Sequence, residues 1–248
     1  SALRSFPQAE FSESAELFSQ LSALSVKIES VTPEPMEHYG QNFGFILYRG
    51  SVHFPEKSAP LHLKNLADQA WIHVNGERYG TVHRNHDEPV TIPSGRLDVL
   101  VENQGRINSD MSWTERWNKG LDGILINHRR LYHWEVFPLP LKDLSGLRFG
   151  PYKPDAPGPC FHRAVFEIDE PADTYIRIPR GTHGQLFLNG WNLGRYRVEG
   201  PQFALYAPAP MLRKGKNELI AFELEGMREN RIEFLDHPDH APAMTMVR

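Results

Sequence analysis

The amino-acid sequence predicts an all-β protein made of two β-sandwich domains, with one short helix at the N-terminus. Three observations support this fold class. Twenty prolines and 19 glycines among 248 residues indicate many short elements joined by turns. Apolar segments with period-2 alternation recur along most of the chain. Two of these segments end in the same Asn-Gly pattern, which indicates an internal repeat.

The N-terminal segment, residues 5–21, is the best candidate for a helix. Its apolar residues lie three or four positions apart and would share one face: Phe11, Ala15, Phe18 and Leu21. Ser5 and Gln8 have the spacing of a capping box. We therefore expect a helix and linker over residues 1–29, outside both sandwiches.

The first sandwich is predicted over residues 30–140, where five short apolar segments alternate with turns. These segments are 43–49, 61–63, 70–74, 97–101 and 124–126. The proline-rich stretch 141–158 has no sustained periodicity and is predicted to be an ordered linker.

The second sandwich is predicted over residues 159–248, with a C-terminal tail. Its candidate strands are 164–168, 175–178, 185–188, 203–206 and 219–224. Asn75-Gly76 in the first block and Asn189-Gly190 in the second each follow an apolar strand. Asn-Gly between strands is a strong hairpin signal because both central residues take positive φ. We therefore expect equivalent turns, and one topology for both domains.

Composition and charge exclude several classes of partner. Lys and Arg number 27 against 31 Asp and Glu, which gives a formal net charge of −4 at pH 7. Without a basic surplus we expect neither nucleic acid nor a membrane as a partner. The sequence has no run of about 18 apolar residues, so no transmembrane helix is predicted, and no signal peptide is recognisable. The single cysteine, Cys160, excludes an intrachain disulfide, and we expect a cytoplasmic protein.

Four motifs carry a resemblance to a known family. They are PMEHYGQNFGFILYR at 35–49, VENQGRIN at 101–108, KG at 119–120 and LNGWNLGRYRVEGPQFALYAPAP at 188–210. These motifs resemble the β-domains of glycoside hydrolase family 35 β-galactosidases. In that family two galactose-binding-like jelly-roll domains follow a catalytic (β/α)8 barrel. The resemblance therefore implies jelly-roll topology for both sandwiches.

The catalytic barrel of that family has no counterpart in this sequence. Such a barrel takes about 250 residues of alternating strands and helices, whereas this chain is occupied by strands. The family's catalytic glutamates lie on barrel strands, so we expect no catalytic residue here and no activity from the chain alone. The resemblance implies a barrel of the same polypeptide or complex as partner, and a β-galactoside as substrate of the full enzyme.

One loop is expected to lie close to that substrate. In the family, a loop of the first β-domain approaches the sugar pocket, and here it follows Arg106. The resemblance makes Asn108, Ser109, Trp113 and Trp117 the substrate-adjacent candidates. The two tryptophans can offer an aromatic platform to a sugar ring, or they can pack against the barrel or in the domain core. Many family members have Asn-Tyr-Gly where this chain has Asn-Ser-Asp.

Structural roles are expected for six residues of the motifs: Glu102, Asn103, Arg106, Asn189, Gly190 and Arg195. Asn103 and Arg106 offer donors for backbone carbonyls left over where a strand ends. Trp191 and Arg195, beside the second Asn-Gly pair, can hold a sugar, although packing against a neighbouring domain is the favoured interpretation.

No metal or cofactor is expected. The segments 83–87 and 236–240 have a metal-like composition of His and Asp, but neither has a helix to organise ligands. The glycine-rich turns lack the spacing of a phosphate-binding loop. Cys160 is expected to be a thiol of the core.

Three functions are compatible with the sequence. The first is the non-catalytic C-terminal region of a β-galactosidase-like glycoside hydrolase, which supports the absent barrel and walls its aglycone side. The second is an independent carbohydrate-binding module, which the jelly-roll resemblance and the tryptophans suggest. The third is a platform for interaction or oligomerisation.

Overall fold

The computed structural model describes residues 2–86, 88–105, 118–200 and 203–239. In this part of the chain most regular structure is β-strand, arranged in four antiparallel sheets. The chain forms two compact units, which are described separately. The continuous unit is Leu21–Lys142, and the discontinuous unit combines Ser1–Gln20 with Asp143–Arg248.

The strands are short and follow one another closely along the chain. In chain order they are β1 (Phe6–Glu10), β2 (Glu13–Glu16), β3 (Ile28–Ser30), β4 (Phe45–Val52), β5 (Ala59–Lys64), β6 (Gln69–Val74), β7 (Glu77–His83), β8 (Val90–Ile92), β9 (Gly95–Glu102), β10 (Gly123–Ile126), β11 (Arg129–Arg130), β12 (Trp134–Leu139), β13 (Gly150–Pro151), β14 (Cys160–Ile168), β15 (Thr174–Arg177), β16 (His183–Leu188), β17 (Trp191–Arg197), β18 (Ala204–Ala207), β19 (Gly215–Glu223) and β20 (Arg231–Leu235). The described helical elements are α1 (Leu21–Leu24) and 3-10 turns at Leu17–Ser19, Met36–Tyr39 and Ala209–Met211.

The continuous unit is a sandwich of two sheets. Its six-stranded sheet has the order β3-β12-β4-β9-β6-β7, and its four-stranded sheet has the order β11-β10-β5-β8. Alternate side chains of these strands form a core that is excluded from solvent; it includes Ile46, Tyr48, Leu61, Ile72, Val99 and Ile124. The side chains that face this core are apolar because burial of apolar area contributes about 25 cal/mol per Å². Inward and outward positions alternate along a strand, which accounts for the period-2 pattern of the sequence.

The discontinuous unit is built the same way. Its six-stranded sheet has the order β13-β2-β14-β19-β16-β17, and its four-stranded sheet has the order β1-β20-β15-β18. The core between them includes Phe11, Ala164, Ile176, Leu186, Leu219 and Phe234. The all-β fold class and the two sandwiches that the sequence predicts are confirmed.

The two units share one topology in circularly permuted form. The strands β4, β9, β6 and β7 correspond to β14, β19, β16 and β17. Beside β4 lies β12, the last strand of the continuous unit, whereas the position beside β14 is taken by β2, from the start of the chain. Likewise β11 pairs with β10, and β1 pairs with β20. The two strands that come last along the chain in the continuous unit, β11 and β12, therefore correspond to the two that come first in the discontinuous unit, β1 and β2.

The prediction of a helix over residues 5–21 was wrong. Most of this segment forms β1, β2 and a 3-10 turn, and only the one-turn α1 is helical. The strands form because tertiary pairing overrides the local pattern: Ala15 lies opposite Phe161 of β14, and Phe11 is buried in the core. Pro7, which has no N–H to donate, is tolerated because β1 is an edge strand.

The units also differ from the expected boundaries at 1–29, 30–140, 141–158 and 159–248. Residues 1–20 are part of the discontinuous unit rather than a separate segment. Residues 143–158 belong to that unit as well, and they contain β13, which pairs with β2.

The two Asn-Gly pairs occupy equivalent turns, as the repeat predicts. Asn75-Gly76 joins β6 to β7 with φ values of 50° and 84°, and Asn189-Gly190 joins β16 to β17 with 49° and 85°. Each hairpin also has one irregularity in its register. It lies between Ile72 and His73 in the continuous unit and between Leu186 and Phe187 in the discontinuous unit. Positive φ at both central residues is the geometry that favours Asn-Gly here.

Among the described residues, no helix combines the length and the apolar character that crossing a membrane requires.

Candidate functional site

The loop expected to approach substrate, residues 106–117, lies outside the described residues. Five of the site residues expected from the sequence lie in it: Arg106, Asn108, Ser109, Trp113 and Trp117. Both ends of the loop are described. We call them the loop roots: residues 102–105, where β9 ends, and residues 118–121, which precede β10.

Asn103 organises the first root. Its backbone N–H donates to the carbonyl of Gly44 over 3.0 Å, and its side-chain Nδ2 donates to the carbonyl of Asn42 over 3.1 Å. Its Oδ1 accepts the backbone N–H of Gly105 at 2.9 Å. The amide thereby closes a local turn directly after the strand, as short polar side chains do at strand and helix ends.

A buried ion pair joins the two roots. The Nζ of Lys119 lies 2.9 Å and 2.7 Å from the two carboxylate oxygens of Asp68, and it donates to the carbonyl of Gly105 over 2.8 Å. The side chains of Lys119 and Asp68 are only 6% and 9% exposed. A single ammonium group therefore links the end of one root to the start of the other.

Asp68 has further partners that hold the pair in place. Its Oδ2 accepts the backbone N–H of Gln104 at 2.7 Å, and Arg84 lies 3.5 Å from its Oδ1. The backbone N–H of Asp68 donates to the carbonyl of Glu102 over 3.0 Å. Burying two charges is costly unless their geometry is good and their other hydrogen-bonding groups are satisfied, and these contacts meet that condition.

The second root is fixed from the other side by Glu37. Both carboxylate oxygens of Glu37 accept the backbone N–H of Lys119, at 2.9 Å and 3.0 Å. Gly120 then exchanges two backbone hydrogen bonds with Ala67, of 2.7 Å and 2.9 Å. A Cβ on Gly120, where φ is +99°, would lie 2.5 Å from the hydroxyl of Tyr48. Only glycine fits this close approach without a shift.

Glu102, another expected motif residue, is fully buried at the end of β9. Its Oε1 accepts Nε2 of Gln104 at 3.0 Å, and the same Nε2 lies 3.0 Å from Oε1 of Gln69. The first root is thus held by side-chain contacts on both sides of Asn103.

Asn189 and Gly190 lie at the hairpin of the discontinuous unit. Asn189 donates from Nδ2 to the carbonyl of Met211 over 2.7 Å and to Oδ1 of Asn217 over 2.9 Å. Its Oδ1 accepts the backbone N–H of Glu218 at 2.9 Å. Asn75 accepts the N–H of Arg96 in the same way, also at 2.9 Å. In both units the turn asparagine therefore binds the neighbouring strand.

Arg195 and Trp191 lie on β17, which is an edge strand. Arg195 is opposite Gln185 in the register, and one of its guanidinium nitrogens, Nη1, is buried without a hydrogen-bond partner among the described residues. The indole of Trp191 is 60% exposed. These two residues are not part of the loop roots.

Glu223 is a buried carboxyl group that the sequence analysis did not identify. It accepts backbone N–H groups from Thr182, His183 and Glu225, at 2.7, 3.3 and 2.9 Å. The hydroxyl of Tyr196 donates to it over 3.2 Å. Burial raises the pKa of Glu223 to about 7, although these hydrogen bonds act in the opposite direction. Glu223 thereby holds two neighbouring turns of the discontinuous unit together.

Cys160 and His162 lie two residues apart on β14, and both are buried. Burial raises the pKa of the Cys160 thiol to about 12 and lowers the pKa of His162 to about 4. Nδ1 of His162 lies 2.8 Å from the hydroxyl of Ser14. A thiol that stays protonated at neutral pH is a weak nucleophile, and the structure agrees with a thiol of the core.

The described residues of the two histidine-rich segments form no metal site. The rings of His83 and His86 are 6.0 Å apart, and His237 contacts Asp236 at 2.8 Å. Asp87 and His240 lie outside the described residues. Among the residues that the structure describes, no group of three or more His, Cys, Asp and Glu has a geometry that can hold a metal ion.

Sequence reasoning missed Asp68, Glu37 and Glu223. Asp68 is 51 positions from Lys119, and Glu37 is 82 positions from it. No short-range pattern connects residues so far apart. The local signals were the motifs themselves: Glu37 lies in the motif at 35–49 and Lys119 in the motif at 119–120, but neither motif shows which residues they contact.

Comparisons with known proteins agree on the identity of both units. The family described as "Beta-galactosidase, first all-beta domain" matches residues 33–140, and the family described as "Beta-galactosidase, galactose-binding domain" matches residues 159–217. The second match ends before β20 and does not include β1 or β2. It therefore covers only part of the discontinuous unit.

Curated relatives point to the same family. A β-galactosidase of Xanthomonas manihotis is 38% identical over 205 residues, which are 81% of this chain and 33% of that protein. A β-galactosidase of Bos taurus is 33% identical over 249 residues, covering 85% of this chain and 38% of that protein. The chain thus spans only about a third of the length of these relatives.

Proposed function

Because this chain belongs to the β-galactosidases, of which it holds the first all-beta domain and the galactose-binding domain, we propose that it is the non-catalytic C-terminal region of a β-galactosidase-like glycoside hydrolase. In this role it supports a catalytic barrel and forms the wall of the barrel's sugar pocket on the aglycone side. The barrel, supplied by the same polypeptide or complex, binds and hydrolyses a β-galactoside.

The buried ion pair between Lys119 and Asp68, which joins the loop roots, is the observation that carries this proposal. A loop that contributes to a site on another domain needs a rigid base, because small errors of position are costly in recognition. Lys119, Asp68 and Gly105 provide such a base by closing the loop with buried, charge-assisted hydrogen bonds. Glu37 adds a second attachment on the opposite side.

The wall acts on specificity rather than on bond cleavage. Retaining hydrolysis of a glycoside requires two carboxyl groups about 5 Å apart on either side of the scissile bond, and the barrel supplies them. Trp113 and Trp117 offer ring faces on which the C–H groups of an aglycone sugar can stack. Such a contact is made only by substrates that have a sugar in that position.

Hydrolysis by the chain alone is the first test. We expect the purified 248-residue chain to show no turnover of an aryl β-galactoside, because the two carboxyl groups are supplied by the barrel. Turnover that persists through independent purifications and is lost when a carboxyl group of this chain is replaced would contradict the proposal.

The second test uses the complete enzyme, with the barrel present. Trp113→Ala and Trp117→Ala are made separately, and kcat/KM is measured on a disaccharide and on an aryl galactoside. Loss of a stacked ring should raise the transition-state free energy on the disaccharide by about 1 to 3 kcal/mol, with little effect on the aryl substrate. Equal losses on both substrates would assign the tryptophans to packing.

A further inference from the structure

A groove of about 670 Å³ lies on the surface of the discontinuous unit. Three segments line it: residues 8–10 of β1, residues 152–154 after β13, and residues 228–231, which lead into β20. All of them lie outside residues 159–217, the part matched by the galactose-binding domain family. The groove exists only because β1, from the start of the chain, pairs with β20.

We propose that this groove is a binding site for a neutral saccharide, which stacks on Tyr152, donates hydroxyl hydrogen bonds to Glu10 and accepts hydrogen bonds from Arg228. The site is independent of the loop at residues 106–117 and of the wall function. The proposal depends on the position of the aromatic ring, on the unpaired polar side chains and on the balance of charge.

Tyr152 provides a fixed aromatic wall. Its ring packs against the imidazole of His162, with ring centroids 5.2 Å apart and an angle of 54° between the planes. The backbone N–H of Tyr152 donates to the carbonyl of Ser12 over 3.1 Å. Tyr152 lines the groove, and because these contacts hold the ring in place, little conformational entropy is lost when a ligand packs against it. The C–H groups of a pyranose suit such a π face.

Unpaired polar side chains line the same groove. Gln8, Glu10 and Arg228 have no side-chain hydrogen bond or ion pair with any part of the chain that the structure describes. Asn230 uses Nδ2 to donate to the carbonyl of Phe11 over 3.0 Å. That bond fixes the side chain and leaves Oδ1 as an acceptor. A carboxylate, a guanidinium and two amides together match hydroxyl groups, which both donate and accept.

The charge of the groove favours a neutral ligand. Arg228 and Arg231 are balanced by Glu10 and Glu229, and Arg231 lies 3.8 Å from Glu229. Because the lining has two charges of each sign, it gives neither an anion nor a cation a net electrostatic advantage. The volume is within the usual range of about 300 to 1,000 Å³ for small-molecule sites, which suits a short oligosaccharide.

The test is a titration of the 15N-labelled 248-residue chain with lactose, methyl β-galactoside, maltose and cellobiose, followed by NMR. Lactobionate, an anionic sugar acid, is the charged comparison. We expect at least one neutral sugar to shift the signals of Tyr152 and of the His162 ring, with a dissociation constant near the millimolar range. Lactobionate should bind more weakly than that sugar. No binding by any sugar, or tighter binding of lactobionate, overturns the proposal.

Variants localise the binding. Arg228→Ala and Glu10→Gln should each weaken it about five- to tenfold, which is the value of one or two hydrogen bonds. Arg213→Ala is the matched control, because Arg213 is exposed on the same unit but does not line the groove. Trp191→Ala should also leave affinity unchanged. Loss of binding in Trp191→Ala, or unchanged affinity in Arg228→Ala, would place the sugar elsewhere and overturn the proposal.

Discussion

Lys119 and Asp68, 51 positions apart in the sequence, form a buried ion pair that also binds the carbonyl of Gly105. The pair closes the base of the loop at residues 106–117, so the chain before and after that loop shares one anchor. Changes at the anchor should therefore affect both the stability of the continuous unit and the position of the loop.

The first prediction concerns this anchor. Lys119→Met leaves the Asp68 carboxylate buried without its main partner, and we expect the free energy of unfolding to fall by about 3 to 5 kcal/mol. Urea denaturation of the chain measures the change. Lys27→Ala is the control, because the ion pairs of Lys27 are 3.7 to 3.8 Å long and exposed, and their loss should cost less than about 1 kcal/mol.

The double variant Lys119→Met with Asp68→Leu distinguishes a missing partner from a packing defect. Without either charge, part of the loss in Lys119→Met should be regained, because no unpaired carboxylate remains buried. The rest should persist, because the N–H of Gln104 and the guanidinium of Arg84 also lose their acceptor. If the double variant is less stable than Lys119→Met, the ion pair is not the cause of the loss.

The second prediction concerns Glu223 and pH. Because the folded pKa is raised from 4.5 to about 7, the native state holds a proton that the unfolded state releases between these values. The contribution to stability is fully present below pH 4.5 and is lost as pH rises to about 7, with a total on the order of 3 kcal/mol. Glu223→Gln should remove this decline from the curve of unfolding free energy against pH. Glu199→Gln, at an exposed position, should retain it.

The third prediction has the opposite sign and concerns His162. Burial lowers its folded pKa from 6.5 to about 4, so the unfolded state binds the proton first as pH falls. Stability should decline between pH 6.5 and pH 4, again by a total on the order of 3 kcal/mol. His162→Gln should abolish this decline, whereas the exposed His53→Gln should not. In the wild-type chain the two contributions oppose each other between pH 4.5 and 6.5, so each is measured as the difference between the variant's curve of unfolding free energy against pH and the wild-type curve.

The fourth prediction concerns residues 1–20. Their deletion removes β1 and β2, the partner strands of β20 and β14, and also removes Phe11 from the core. Loss of such a ring alone costs about 3 to 5 kcal/mol, so the discontinuous unit should unfold while the continuous unit stays folded. Hydrogen exchange resolved by residue measures both. A synthetic peptide of residues 1–20 should restore protection in β14; equal loss of protection in both units would contradict the permuted topology.

The fifth prediction concerns Gly120. Replacement by Ala puts a Cβ 2.5 Å from the Tyr48 hydroxyl at a residue with positive φ, and the free energy of unfolding should fall by more than about 1 kcal/mol. Gly150→Ala is the matched control, since a Cβ there meets nothing within 4 Å. A thermal shift equal to that of the control would show that Tyr48 can move away.

Short-range signals predicted the parts of the fold that depend on short-range physics. Asn75-Gly76 and Asn189-Gly190 were recognisable because the demand for positive φ is met within two residues. The N-terminal segment was misassigned because the spacing of Phe11 and Ala15 suits a helix face, whereas their burial is decided by strands about 150 positions further along.

The buried ion pair and the groove were not predicted because both bring together residues that are far apart in the sequence. Asp68 belongs to the anchor through a contact that spans 51 positions. The groove combines residues from the start, the middle and the end of the chain, and Tyr152 has no local pattern that distinguishes it from a core tyrosine. A sequence shows residue types and spacings, but convergence of distant segments depends on the topology.

The permuted topology has a consequence for the order of synthesis. The continuous unit is complete once residue 142 has left the ribosome, whereas β2 must wait for β14 and β1 must wait for β20. At about 5 to 20 residues per second, β1 and β2 stay unpaired for roughly 10 seconds or more. During that time they present open strand edges, which favour aggregation. A nascent chain of this protein should therefore be a client of ribosome-associated chaperones until β20 emerges.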